Sequence, residues 1–223
     1  MKKVVVYGAG AYANVFYYEV MRTKAIEIVA FAVDKKYRNE KDKHFDLPLI
    51  DFEECEKIYP PNQYDMIVMC GYTKMRDRRV MFERAKEKGY TLPNYVSPDA
   101  YVECGVEMGE NNVIFSNAFV GAKGKMGDGN IVRQNVYLGH EFCLGNHIII
   151  SSGCTLGGYC HIGDMSFIGL GVTAIDSIDI GKECLIGAAS NVVKNIDNYA
   201  KALGNPVKII DYHEETGVLI KAR

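Results

Sequence analysis

The sequence predicts a two-part protein: an α/β domain over residues 1–92, an all-β solenoid over residues 93–210, and a short tail over 211–223. Three observations predict it. A large aliphatic residue recurs at every sixth position from Val96 onward, almost without exception, as far as Val192. Glycine follows many of these aliphatics, with a period of eighteen nested over the period of six. Ahead of Val96 the pattern changes to short apolar runs alternating with amphipathic stretches, which implies βαβ units around a parallel sheet.

In the first segment, Val4-Val5-Val6-Tyr7 reads as a short buried strand, followed by Gly8-Ala9-Gly10-Ala11-Tyr12-Ala13 and a helical stretch to about Thr23. A second strand, Ile28 to Val33, ends on Asp34. A third, Tyr64 to Cys70, ends on Gly71, and Thr73 to Lys88 reads as an amphipathic helix with Val80, Phe82 and Ala85 among its apolar positions. Gly8-x-Gly10-x-x-Ala13 between strand and helix, with an acid about twenty residues on, matches a nucleotide-binding fingerprint in its context. The glycines let backbone approach phosphate, the helix N-terminus favours its charge, and Asp34 is placed to hydrogen-bond sugar or base. Some ninety residues make only half a doubly wound fold, which suits a mononucleotide better than a dinucleotide. The other reading of the same glycines is a turn that only tightens strand-to-helix packing.

From Val96 in steps of six, seventeen positions carry sixteen large aliphatics, Met108 and Met126 included, and one Ala174. The next residue is Gly in ten of the seventeen, where 22 Gly in 223 residues would supply about 1.7 by chance. Gly109, Gly127, Gly145, Gly163 and Gly181 mark one corner of each eighteen-residue turn, and Gly121, Gly139 and Gly157 mark a second. Six within eighteen means a three-sided turn with one inward aliphatic per side, stacked on its equivalent at the strand spacing of about 4.8 Å. Glycine at the corners is expected to accept backbone angles that a side chain opposes. Four residues after each aliphatic the side chain is often small, as at Ala100, Ala118, Cys154, Cys160, Ser166, Cys184 and Ser190, so three cysteines read as compact inward fillers.

Composition narrows the function classes. Hydrophobic residues make up 48% and charged residues 24%, which excludes wholesale disorder. The 26 basic and 28 acidic side chains are intermixed, for a net charge of −2, so a broad nucleic-acid or membrane-surface footprint is not expected. No apolar run approaches the roughly 18 residues of a spanning helix. Met1-Lys2-Lys3 leads into an apolar run too short for a signal sequence, and seven cysteines without a C-x-x-C pair read as reduced thiols, so a cytoplasmic location is expected.

Together, Gly8-Ala9-Gly10, the six-residue repeat and the closing Gly204-Asn205-Pro206-Val207-Lys208 carry a resemblance that covers nearly the whole chain. The chain resembles the bacterial sugar acyltransferases of the sialic acid O-acetyltransferase and bacillosamine N-acetyltransferase type. The resemblance implies a Rossmann-like half domain joined to an all-β left-handed parallel β-helix of hexapeptide repeats. The left hand comes from the resemblance alone, and it runs against the usual right-handed rule for parallel connections. It also implies acetyl-CoA as co-substrate without a metal, a nucleotide-linked sugar as acceptor, and a homotrimer with its cofactor groove between neighbouring solenoids.

By the same resemblance, His140 is the general base and Glu141 its supporting acid. Imidazole, with an ordinary pKa of about 6.5, accepts a proton at neutral pH from a nucleophile attacking a thioester, and a neighbouring carboxylate holds and strengthens it. The backbone N–H of Gly158 corresponds to the oxyanion donor. Leu170 and Ala188 correspond to main-chain contacts along pantetheine, and Lys208 to a contact at the phosphate end of coenzyme A. Gly10, Ala11, Tyr12 and Asp34 match positions that hold the sugar nucleotide, with Gly71 bordering the same crevice. One position departs: relatives commonly carry a second His near the acetyl group, where this chain has Ile149, with His147 two residues earlier. His161 reads equally as a solvated edge residue or a ligand, and His140, His147 and His161 lack metal-ligand spacing. The leading reading is N-acetyl transfer to a nucleotide-linked amino sugar. O-acetylation of sialic acid or another polysaccharide sugar, a non-catalytic sugar-nucleotide scaffold, and, less favoured, an NAD-dependent dehydrogenase are the alternatives.

Overall fold

The computed structural model describes residues 2–38, 42–71 and 73–220. The chain divides into two compact units, one formed by Met1–Gly71 with Asp77–Asn94 and the other by Tyr72–Arg76 with Tyr95–Arg223.

In the first unit the elements run β1 (Lys3–Tyr7), α1 (Ala11–Thr23), β2 (Glu27–Val33), β3 (Lys43–His44), β4 (Leu47–Asp51), α2 (Cys55–Ile58), β5 (Asp65–Val68) and α3 (Met75–Glu87), whose first two residues belong to the second unit. The sheet order is β3-β4-β2-β1-β5. Val5 and Tyr7, Ala30 and Ala32, and Met66 and Val68 share one core, while the alternating Val4, Val6, Phe31 and Ile67 are buried as well. Both faces are therefore covered, which is why these strands read as continuous apolar runs. Helix α1 buries Tyr12, Ala13, Phe16, Glu19 and Val20, a stripe at helical spacing, and ends on Lys24 in the left-handed conformation. The parallel strands, in sheet order β4-β2-β1-β5, reverse direction of growth between β1 and β5. A doubly wound sheet opens its ligand crevice there, at the carboxyl ends of the strands.

In the second unit two-residue strands build three sheets. The first face holds Tyr101–Val102, Phe119–Val120, Tyr137–Leu138, Thr155–Leu156, Thr173–Ala174 and Asn191–Val192; the second runs from Glu107–Met108 to Asp179–Ile180, and the third starts at Tyr95–Val96. From Tyr95 to Val192 each strand pairs in parallel with the one eighteen residues away, as Phe119 with Tyr137 and Tyr137 with Thr155. The second residue of each strand points inward to a single core running from Ile114 to Val207.

The fold class expected from the sequence is corrected here. Neither sheet system is purely parallel. In the first unit β3 runs antiparallel to β4. The eight-stranded third face ends with Ala200–Leu203 antiparallel to Lys208–Tyr212. The architecture is thus α/β with mixed parallel and antiparallel sheets, not the all-β left-handed parallel β-helix implied by the resemblance. Register defines the repeat and leaves the hand of the turn unspecified.

The corner glycines have a different reason from the one expected. The left-handed residues at the corners are mostly not glycine: Asn111, Asn117, Lys123, Asn135, Glu141, His147, Tyr159, Met165, Ser177, Glu183 and Ala189 all have positive φ. Gly109 and Gly127 matter instead for room, because an added methyl would collide with the Asp128 and Asn146 side chains of the next turn. Those side chains accept the N–H groups of Glu110 at 2.7 Å and Asp128 at 2.8 Å, so each corner is capped by the following one. Inside, Cys154, Cys160 and Cys184 are buried thiols that donate to corner carbonyls, Gly169 O at 3.0 Å among them.

The tail, whose structure the sequence leaves undetermined, packs within the second unit. Arg76 holds the buried Glu183 through Nε at 2.7 Å and donates to the carbonyls of Glu214 and Glu215. Leu219 bridges to Lys74. Residues 221–223 of the expected tail lie outside the described residues.

Candidate active site

Two sets of expected residues sit in different units. In the first unit, Gly8 follows β1 with a φ of 128°, and an added methyl would lie 2.6 Å from Met69 O, so glycine is required both by torsion and by the approach of the chain after β5. Gly10 differs. Its backbone is ordinary, with φ −87° and ψ −172°, and a methyl there would meet nothing within 4 Å. The same holds for Gly71 after β5. Neither is glycine for packing reasons within the chain, so the packing-only reading accounts for Gly8 and not for these two. Gly10 is the N-cap of α1 and makes no side-chain capping hydrogen bond. Ala11 is exposed. Tyr12 is buried.

Asp34 is positioned otherwise than expected. Its Oδ1 accepts from the Tyr7 hydroxyl at 2.5 Å and from Arg84 Nη1 at 2.8 Å, and Arg84 also donates to the Tyr7 oxygen at 2.7 Å. The Tyr7 ring stacks on Phe52 with centroids 3.8 Å apart, and the Arg84 guanidinium lies over the same Phe52 at 4.7 Å. Burial, then the hydrogen bond to Asp34, pushes the Tyr7 hydroxyl far above the usual tyrosine range, so it remains a donor. These groups border a cavity of about 600 Å³ lined by Asp34, Lys35, Lys36, Glu53 and Arg84. Sequence reasoning missed Tyr7 and Arg84, which are 77 positions apart and meet only through the sheet.

In the second unit, His140 follows strand Tyr137–Leu138 at the corner between the first and second faces. Its side chain is 56% exposed, enough to meet a substrate from solvent. Nδ1 lies 3.7 Å from Glu141 Oε1, an ion-pair distance and not a hydrogen bond. The partner that Glu141 does bond was not expected: Tyr159, one turn further on, donates to Oε1 at 3.2 Å, and its ring meets His140 edge-on at 4.9 Å. The charge of Glu141, followed by that hydrogen bond, raises the Tyr159 pKa and keeps the phenol protonated. Below the imidazole lies Gly158, where an added methyl would come within 2.8 Å of His140 Nε2. The Gly158 N–H, expected as oxyanion donor, donates to Asp176 Oδ1 at 2.6 Å.

The expected cofactor contacts are not beside His140. Leu170 is 60% exposed and Ala188 is exposed on the turn beyond it, joined by the Ala189 N–H to Leu170 O bond, but both stand at the corner between the third and first faces. His140 and Gly158 stand at the opposite edge of the first face. Ile149 is fully buried on the third face and offers no surface to a ligand. Lys208 is exposed at the start of the last strand. Among the described residues, no three His, Cys, Asp or Glu side chains are grouped to hold a metal ion, and no helix is long and apolar enough to cross a membrane.

Comparison with solved structures finds the same architecture across whole chains. A mutant of perosamine N-acetyltransferase from Caulobacter crescentus, in complex with CoA and GDP-perosamine, superposes with a TM-score of 0.86 over 95% of this chain and 98% of its own, at 23% identity. The acetyltransferase domain of PglB from Neisseria gonorrhoeae FA1090, in complex with acetyl coenzyme A, gives 0.84 over 94% and 99%, at 27% identity. This chain has the fold of these acetyltransferases. WeeI from Acinetobacter baumannii AYE shares it at 18% identity, with a TM-score of 0.80 over 94% of this chain and all of the other. No family model matches the chain, and no curated protein matches it. The hexapeptide-repeat assignment implied by the resemblance is therefore withdrawn, while the likeness to bacterial sugar N-acetyltransferases stands on the structures.

Proposed function

We propose that the chain is an acetyl-CoA-dependent N-acetyltransferase acting on a nucleotide-linked amino sugar. The observation that carries this reading is the exposed His140, seated over Gly158 and flanked by the Glu141–Tyr159 pair, on a fold shared end to end with proteins solved with CoA and a GDP-linked sugar. With Nδ1 turned to the Glu141 carboxylate, Nε2 is the basic nitrogen, and it takes the proton of the acceptor amine as that nitrogen attacks the acetyl carbonyl. The proton then passes to the departing thiolate. For the Gly158 N–H to meet the carbonyl oxygen, it exchanges Asp176 for that oxygen. Asp176→Ala removes the competing acceptor, and kcat/KM is expected to rise several-fold.

Gly10, Gly71 and the start of α1 form the diphosphate end of the acceptor site in this reading, and the cavity beside Arg84 receives the nucleoside. The separation of His140 from Leu170 and Ala188 across the first face supports a homotrimer, because a second copy supplies the pantetheine contacts that one chain holds at its far edge. Location in the cytoplasm, where acetyl-CoA is available, fits the same reading.

The test is release of free coenzyme A from acetyl-CoA with a panel of nucleotide-linked amino and neutral sugars, run beside His140→Ala. Turnover with an amino sugar that falls by about 100-fold or more in the variant is the expected result. Turnover with hydroxyl acceptors alone moves the reaction to O-acetylation. Failure to bind either coenzyme A or any nucleotide sugar overturns the reading.

A further inference from the structure

The corner between the third and first faces carries a column in steps of eighteen: Gln134, Ser152, Leu170 and Ala188. Their main chains are tied turn to turn, the Gly153 N–H donating to Gln134 O, the Gly171 N–H to Ser152 O and the Ala189 N–H to Leu170 O. Successive members therefore stand about 4.8 Å apart, the spacing of paired strands. Gln134 and Ser152 are half-buried. Gln134 Oε1 accepts from Arg133 Nε at 3.0 Å and from Ser152 Oγ at 3.4 Å, and the Arg133 guanidinium lies over the Phe115 ring at 5.2 Å. A guanidinium only donates, so the amide is held with its oxygen toward Arg133. The two hydrogens on Nε2 have no acceptor among the described residues. Gln134 is thus an oriented donor above Leu170 and Ala188, in the turn that carries His140 at its next corner.

We infer that Gln134 of the partner subunit is a second oxyanion donor to the site of His140. The inference rests on the acetyltransferase reading and its homotrimer, in which pantetheine lies along Leu170 and Ala188 of one copy and meets His140 of the next. Copies related by a threefold axis along the solenoid stand level, so the turn that holds both Gln134 and His140 is shared across the interface. Followed up the column from Ala188 and Leu170, the thioester end reaches Ser152 and then Gln134 at that level. Gln134 Nε2 donates to the thioester carbonyl oxygen as negative charge builds there, while the bond from the amine nitrogen forms and the carbon–sulfur bond breaks. Gln134 itself forms no bond and keeps its protons. It adds to the Gly158 N–H a donor that needs no exchange with Asp176.

Gln134→Glu keeps the size of the side chain and the acceptor for Arg133 and removes the donor. Its kcat for coenzyme A release is expected to fall about 100-fold, with KM for acetyl-CoA and for the nucleotide sugar unchanged. Gln134→Met, of like size and also without a donor, is the second variant should the first not fold. Chains carrying His140→Ala and Gln134→Glu on different affinity tags are then co-expressed, and the mixed trimers isolated. Each mixed trimer has a single site that joins an intact His140 to an intact Gln134, so about one third of wild-type kcat is expected where both parents are nearly inactive. Mixed trimers no more active than their parents, an unchanged kcat in the Gln134 variants, or a raised KM for the nucleotide sugar with kcat held each overturn the inference and leave His140 as the base. A wild type that turns over as a monomer does the same. A wild type without turnover overturns both readings.

Discussion

Tyr159 lies one turn beyond Glu141 and donates its hydroxyl to Glu141 Oε1 at 3.2 Å, while its ring edge rests against His140. One side chain thus restrains both members of the His140–Glu141 pair. Tyr159→Phe keeps the ring contact and removes the hydrogen bond. Coenzyme A release should show kcat lowered by about three- to ten-fold with KM unchanged, and thermal unfolding close to that of wild type, since only one exposed hydrogen bond is lost. An unchanged kcat would show that Glu141 is restrained by something else.

Gly158 is the floor beneath the imidazole. Gly158→Ala places a methyl 2.8 Å from the present position of Nε2, so the ring must tilt away. Misplacement of a catalytic base by about 1 Å costs on the order of 100-fold, and a loss of about that size in kcat is expected with little change in melting temperature. A crystal structure of the variant with His140 unmoved would remove the premise.

Asp34 organises Arg84 and Tyr7 in the first unit. Asp34→Ala leaves both donors without their shared acceptor, and urea unfolding should register a loss of about 1–3 kcal/mol. Arg84 then leaves the wall of the cavity, so KM for the nucleotide sugar rises while kcat holds. A variant with unchanged stability and unchanged KM would count against the network as an organiser of the site.

Burial pushes the thiols of Cys154 and Cys184 up to about 11. An unfolded thiol titrates near about 8.5, so above that pH the unfolded chain loses protons that the folded chain retains. Their contribution to stability is complete below about 8.5 and is lost as pH rises toward 11. Urea unfolding at pH 7.5, 9 and 10.5 should show that decline, and a Cys154→Ala, Cys184→Ala double variant should show a shallower one.

The repeat was legible because it is local in a special sense. Every turn uses the same six-residue spacing, so one inward aliphatic per strand identifies the stacking without knowledge of the neighbours. The spacing of eighteen that links Gly109 to Gly127 reappears as the strand register. The strand, glycine turn and helix at the start of the first unit were legible for a related reason, since the three are consecutive. His140 was legible only through the resemblance, because a histidine at a corner of the repeat does not by itself distinguish a general base from a surface side chain.

The sequence by itself determined which side chains of the second unit face the core, since the periods of six and eighteen put one aliphatic of each strand inward. Only the tertiary structure decided which outward residues meet. Tyr7 and Arg84 converge on Asp34 from separate elements, Tyr159 reaches Glu141 across a turn, and Leu170 and Ala188 stand at the far edge of the face from His140. The antiparallel pairings of β3 with β4 and at the last strands, which make the sheets mixed, were equally invisible to the repeat. Corner glycines that seemed to answer a torsional demand answer the close approach of the next turn instead. Periodicity specifies a direction for each side chain, whereas a site depends on distances between chain segments, and those are set by packing.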